Sequence, residues 1–75
     1  MDAEQFRSAI KLRPFRPITI QTSSGDAYTV KHPEAIWQSP QGGTVIVATG
    51  GESFAMLSIE HISAFQFSDT RATEA

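Results

Sequence analysis

The residues best suited to chemistry are two histidines and a carboxylate, His32, His61 and Glu34. The His-x-Glu spacing can place two side chains on one face of a strand, which suits a metal or acid–base site. Pro33 lies between them and interrupts that strand geometry. We therefore interpret His32, Pro33 and Glu34 as a structural corner whose polar side chains bond or shield the backbone groups that Pro33 leaves unpaired. No metal ligand is predicted.

Hydroxyl residues are frequent and glycines occur in two pairs, but their contexts do not suit catalysis or phosphate binding. No serine or threonine lies in a G-x-S-x-G or comparable strand–turn–helix motif, which a nucleophile would need. Gly42-Gly43 and Gly50-Gly51 fall in hairpin turns rather than between a strand and a helix, so they favour turn formation over phosphate binding. The sequence therefore predicts no catalytic residue, no enzymatic activity and no cofactor.

Positive charge is concentrated near the N-terminus of a chain whose net charge is −2. Five of the six Lys and Arg residues fall within the first 31 positions. Four of them are candidates for one basic patch: Arg7, Lys11, Arg13 and Arg16. Two interpretations remain open, a solvated helix face or a contact with nucleic acid or an acidic protein. His61 is a further candidate contact.

The single tryptophan, Trp37, follows the structural corner. Most aromatic side chains of a small domain belong to its core. A large rigid ring that is exposed instead serves as an anchor for a partner or as a stacking platform for a base. Trp37 and Phe15 are the candidates for this second role.

A short helix is predicted at the start of the chain. Asp2 is a suitable N-cap, so the helix begins at Ala3, and Pro14 ends it by residue 12 or 13. Its apolar face contains Phe6, Ala9 and Ile10. Because about ten residues form a marginal helix in isolation, this one must dock on the rest of the domain.

Beyond Pro17 the apolar residues alternate with a period of two, which is typical of strands. Two strands flank a turn at Gly25, and the segment 35–38 either resumes the second strand beyond a bulge or begins a separate short strand. Further strands are predicted over 44–48, 54–59 and 64–67, with Phe65 and Phe67 inward. The mainly β fold predicted from this order is a short N-terminal helix followed by a five-stranded antiparallel barrel of Sm-like or SH3-like type.

The domain is expected to span residues 1–68, with a disordered polar tail over 69–75. At 75 residues without cysteine, the chain buries only roughly 60–65% of its unfolded surface. The runs at 45–47 and 55–57 are apolar on both strand faces. This pattern predicts a homo-oligomer. No signal-like or membrane-spanning segment is recognised, so a cytoplasmic protein without membrane contact is expected.

Two resemblances accompany these observations. The motifs Arg13-Pro14-Phe15-Arg16-Pro17, Gly25-Asp26 and His32-Pro33-Glu34, with Val30, resemble a group of short bacterial proteins that share an RPFxP…GD…V-x-HPE pattern. This resemblance covers residues 6 to 67 and implies no activity, because none is assigned to the group.

The layout is also similar to that of the Sm-like RNA chaperones of the Hfq family. Phe6-Arg7-Ser8-Ala9-Ile10 matches their F-x-x-A-L helix core, Ser24-Gly25 their N-G turn, and His61-Ile62-Ser63 part of their K-H-A-I-S segment. Glu60 and Ala3 replace a lysine and a base-contacting glutamine of that family. The resemblance implies a small ring-forming barrel that binds RNA.

Two functions follow as hypotheses. The first is a non-enzymatic small β-barrel that acts as an interaction or assembly module, binds a protein partner and self-associates. The alternative is an Sm-like protein that binds RNA or single-stranded nucleic acid through its N-terminal basic residues.

Overall fold

The computed structural model describes residues 1–68, which contain one helix and six strands. In chain order these are α1 (Ala3–Ile10), β1 (Ile18–Thr22), β2 (Ala27–Val30), β3 (Ile36–Gln38), β4 (Thr44–Gly50), β5 (Ser53–Ser58) and β6 (Ile62–Phe67). Two short 3-10 turns, Pro33–Ala35 and Ile59–His61, precede β3 and β6. The tail predicted over 69–75 lies outside the described residues.

The N-terminal helix begins as the sequence predicts. Asp2 is its N-cap, and the Asp2 Oδ1 accepts a hydrogen bond of 2.9 Å from the Glu4 backbone N–H. The helix ends earlier than predicted, at Ile10, with Lys11 as its C-cap. The Arg13 side chain donates to the carbonyls of Ile10 and Leu12. It therefore satisfies the Ile10 carbonyl, whose helical partner four residues later would be Pro14, which has no N–H.

The strands form two three-stranded antiparallel sheets, in the orders β2-β1-β6 and β3-β4-β5. The prediction of a closed five-stranded barrel is therefore wrong. The reason lies at Pro33, which has no backbone donor and opens a 3-10 turn, so the ladder of β2 does not continue into β3. The segment 36–38 is a separate short strand, and within residues 1–68 no strand pairing joins the two sheets.

The core lies where α1 and both sheets meet. Its buried apolar side chains are Phe6, Ile10, Ile18, Ile20, Val30, Val45, Val47 and Ile62. Phe6 of the helix contacts Phe65 edge to face, with ring centroids 5.7 Å apart. Phe65 and Phe67 pack against this core from β6, which confirms their predicted inward direction.

The hairpin of β4 and β5 is longer than predicted. β4 continues past residue 48 to Gly50, and the register shifts between Ala48 and Gly50. Gly50 and Gly51 have φ angles of 135° and 53°, a region that glycine adopts with little strain. A glycine pair can therefore extend the strand through an irregularity before the chain turns.

None of the helices in the described part of the chain is both long enough and apolar enough to cross a membrane.

Candidate functional site

The structure brings four of the predicted contact residues to one pocket. This pocket, of about 260 Å³, lies between the C-terminal half of α1 and strand β3. Arg7, Lys11 and Arg13 line it from the helix side, and Trp37 lines it from β3. We call it the cationic pocket.

Two of its cations are held in place by backbone carbonyls. The Arg7 Nη2 donates to the carbonyl oxygens of Ser39 and Pro40 at 3.0 and 2.9 Å. The Arg13 Nη1 donates to those of Ile10 and Leu12 at 3.2 and 2.7 Å. A guanidinium carries five N–H donors, so both side chains keep donors for another acceptor.

No carboxylate among the described residues pairs with the positive charge of the pocket. Within residues 1–68, no ion pair joins Arg7, Lys11 or Arg13 to a carboxylate. Arg7 and Lys11 are four residues apart and share a side of the helix. Three cations therefore surround one concave surface of a chain whose overall charge is negative.

A buried amide completes the pocket. Gln38 is only 7% exposed, and its Nε2 donates to the carbonyls of Ala3 and Gly42 at 3.2 and 3.1 Å. These two acceptors identify which amide atom is nitrogen. The Gln38 Oε1 is buried and has no hydrogen-bond partner among the described residues. Leaving a buried acceptor unsatisfied costs about 1–3 kcal/mol, a cost that the two Nε2 hydrogen bonds partly offset.

Two other predicted contact residues lie elsewhere. The Arg16 guanidinium carbon lies 4.1 Å from the centroid of the Phe67 ring, a cation–π arrangement. His61 is exposed in the 3-10 turn before β6. Neither lines the cationic pocket, so the structure gathers three of the four predicted basic residues around it.

The predicted structural corner is a 3-10 turn that begins at Pro33. The Ala35 N–H donates to the His32 carbonyl at 3.0 Å. The His32 and Glu34 side chains are exposed, and His32 makes no capping hydrogen bond through its ring. Within residues 1–68, no group of three or more His, Cys, Asp or Glu side chains is placed to hold a metal ion.

A second surface lies on the side of the β3-β4-β5 sheet that faces away from the core. It consists of five apolar residues that the strand register places side by side: Trp37, Ile46 and Met56 in one row, and Ala48 and Phe54 in the next. We call it the outer face. Trp37, Phe54 and Met56 are 50%, 64% and 66% exposed, although large apolar side chains usually avoid such exposure.

The two-sided character of β4 was predictable, because Val45 and Val47 alternate with Ile46 and Ala48. In the structure the valines are fully buried and the alternate positions form the outer face. Sequence reasoning missed Gln38. Its only signal was a polar residue at an inward position of a strand, and a pocket with an unpaired acceptor cannot be inferred from that.

Comparisons of the chain with protein-family models, with curated proteins and with solved structures find no match.

Proposed function

We propose that this protein is a non-enzymatic interaction module that self-associates by packing its outer face against that of a second copy. The observation that carries the proposal is the exposure of Trp37, Phe54 and Met56 on neighbouring strands of one sheet. Contiguous apolar surface of this kind marks interaction sites in soluble proteins.

The size of the outer face supports a dimer interface. With about 200 Å² for each complete side chain of this class, the three exposed residues leave roughly 350 Å² uncovered. A standard interface buries about 800 Å² on each partner. The outer face would then form the apolar centre of such an interface, and the polar residues around it would form the rim.

A second copy suits this surface better than a charged partner does. The five residues of the outer face carry no charge, so two copies can stack without burying an unpaired ion. A two-fold axis brings the same patch of each copy together and requires no additional complementary surface. Met56 adds an adaptable side chain that fills irregular gaps between two packed sheets.

The small size of the chain gives a physical reason for association. A domain of this length has a limited core, and oligomerisation is a common source of additional burial. The inner side of β4 is already filled by Val45 and Val47, which are fully buried. Further apolar burial can therefore come from the outer face.

Light scattering of the full chain over a dilution series tests this function. From about 1 mM to about 1 μM protein, we expect the mean mass to decrease towards that of the monomer as the complex dissociates. The monomer has a mass of 8.2 kDa. A mass that stays at this value over the whole series contradicts the proposal.

A further inference from the structure

The cationic pocket presents two different chemical features within one concavity of about 260 Å³. Arg7, Lys11 and Arg13 supply positive charge, and Trp37 supplies an aromatic residue. This volume lies just below the usual range for sites of drug-sized ligands, about 300–1,000 Å³. A ligand for this pocket must be small, or must be one unit of a longer chain.

The charge of the pocket favours an anion. Lys11 is exposed, and within residues 1–68 the two arginines are bonded only to neutral carbonyl oxygens. The exposed carbonyls at the C-terminal end of a helix repel anions. Arg13 donates to two carbonyls at this end of α1 and so opposes that repulsion. An anion near Lys11 and Arg13 therefore meets ammonium and guanidinium donors.

The aromatic residue favours a ligand that carries a planar group as well as an anion. Trp37 is half-exposed beside the cations, where a planar group can stack on it. An acidic peptide supplies carboxylates but no planar ring next to them unless its sequence places one there.

We propose that the cationic pocket binds one nucleotide unit. Its phosphate contacts Lys11 and Arg13, and its base stacks on Trp37. The same chemistry is present in a free mononucleotide and in single-stranded nucleic acid, so the test must distinguish these two sources. This proposal does not depend on self-association through the outer face.

The single tryptophan of the chain is itself the probe. Its emission, excited at the red edge of its absorption, is followed while the full protein is titrated at low salt with a uridine or adenosine mononucleotide, a short single-stranded oligonucleotide, or polyglutamate. We expect saturable quenching by a nucleotide ligand. Affinity for the oligonucleotide should decrease with added salt, because phosphate contacts release counterions.

The pattern of quenching identifies the source of the ligand. Quenching by the oligonucleotide alone supports the proposal and identifies nucleic acid as the ligand. Quenching by the oligonucleotide and the mononucleotide also supports it and shows that a free nucleotide is sufficient for binding. Equal affinity for polyglutamate overturns it, because the pocket would then recognise charge alone. Absence of quenching by every nucleotide ligand also overturns it.

Two variants test the residue roles with a labelled oligonucleotide, followed by fluorescence anisotropy. Lys11→Glu should weaken binding by about tenfold at low salt. Lys31→Glu is the matched control, since Lys31 is exposed and does not line the pocket.

Trp37→Leu should weaken binding by about five- to a hundredfold, the range for one stacked base. Equal losses for the two lysine variants, or no loss for Trp37→Leu, contradict the assignment.

Discussion

At the scale of single residues, Gln38 links the helix to the hairpin that follows β3. Its Nε2 bridges the carbonyl oxygens of Ala3 and Gly42, so one buried side chain fixes the start of α1 against the turn between β3 and β4. Gly42 makes this approach possible. Its φ angle is 90°, and a Cβ built on it would lie 2.7 Å from the Ala3 Cβ.

Replacement of this glycine should destabilise the fold more than replacement of a glycine in an open turn. Gly42→Ala introduces both an unfavourable φ and a clash with Ala3. Gly25→Ala is the matched control, because Gly25 has a similar φ of 97° but no atom within 4 Å of the added Cβ. We expect Gly42→Ala to lose about 1–2 kcal/mol more than Gly25→Ala in the free energy of unfolding.

Urea unfolding at one fixed protein concentration measures the difference, because self-association would make stability depend on concentration. Equal losses for the two variants would show that the Ala3 contact has no energetic role.

At the scale of elements, local chemistry predicted the starts and turns well. The N-cap Asp2, the Gly25 turn and the alternation around Val45 and Val47 each act through neighbouring residues, and all three lie where expected. The strand count could not be predicted in the same way. Pro33 ends the ladder of β2. Whether the chain then rejoins that ladder or begins a new strand depends on tertiary pairing, and among the described strands β3 pairs only with β4.

The candidate surfaces were also predictable where they depend on neighbouring residues and not where they depend on tertiary structure. A basic patch was predictable from the positions of Arg7 and Lys11 on one helix, whereas Arg16 lies over the Phe67 ring instead. The sequence does not determine whether Trp37 is exposed, because its exposure depends on which side of β3 faces the core. An inward Gln38 determines that side, and alternation then turns Trp37 outward.

The corner at Pro33 should contribute to the stability of the fold through the proline and not through its polar neighbours. Proline restricts the unfolded chain, so Pro33→Ala should lower the free energy of unfolding by about 0.4–1 kcal/mol. His32→Ala should change it by less than about 0.5 kcal/mol, because the His32 side chain is exposed and does not cap the turn. Thermal and urea unfolding compare the two variants. A larger loss for His32→Ala would show that its side chain stabilises the corner.

At the scale of the whole molecule, the two proposed surfaces meet at Trp37. This residue lines the cationic pocket and also a groove of about 160 Å³ on the outer face, together with Ile46 and Phe54. One indole cannot be fully covered by a second copy and also remain available to a base. The two proposed interactions should therefore oppose each other, and the coupling should be reciprocal.

This coupling predicts that a monomeric variant binds nucleic acid more tightly than the wild-type protein. Phe54→Thr weakens the outer face without altering a residue of the cationic pocket. At concentrations where the wild-type chain self-associates, the Phe54→Thr variant should bind a labelled single-stranded oligonucleotide about two- to tenfold more tightly than the wild-type chain does. An affinity equal to or weaker than that of the wild-type protein would show that the surfaces are independent.

Self-association through the outer face is tested by sedimentation equilibrium of a variant that removes the apolar centre of this face. The variant is Phe54→Thr with Met56→Thr, since threonine keeps a strand-forming residue at both positions. Leu12→Thr is the control, because Leu12 is also an exposed large apolar residue, at 40%, but lies away from this face. We predict that the wild-type chain and Leu12→Thr share a mass above 8.2 kDa at high concentration, while the double variant stays at the monomer mass. A double variant that associates like the wild-type chain would contradict the account.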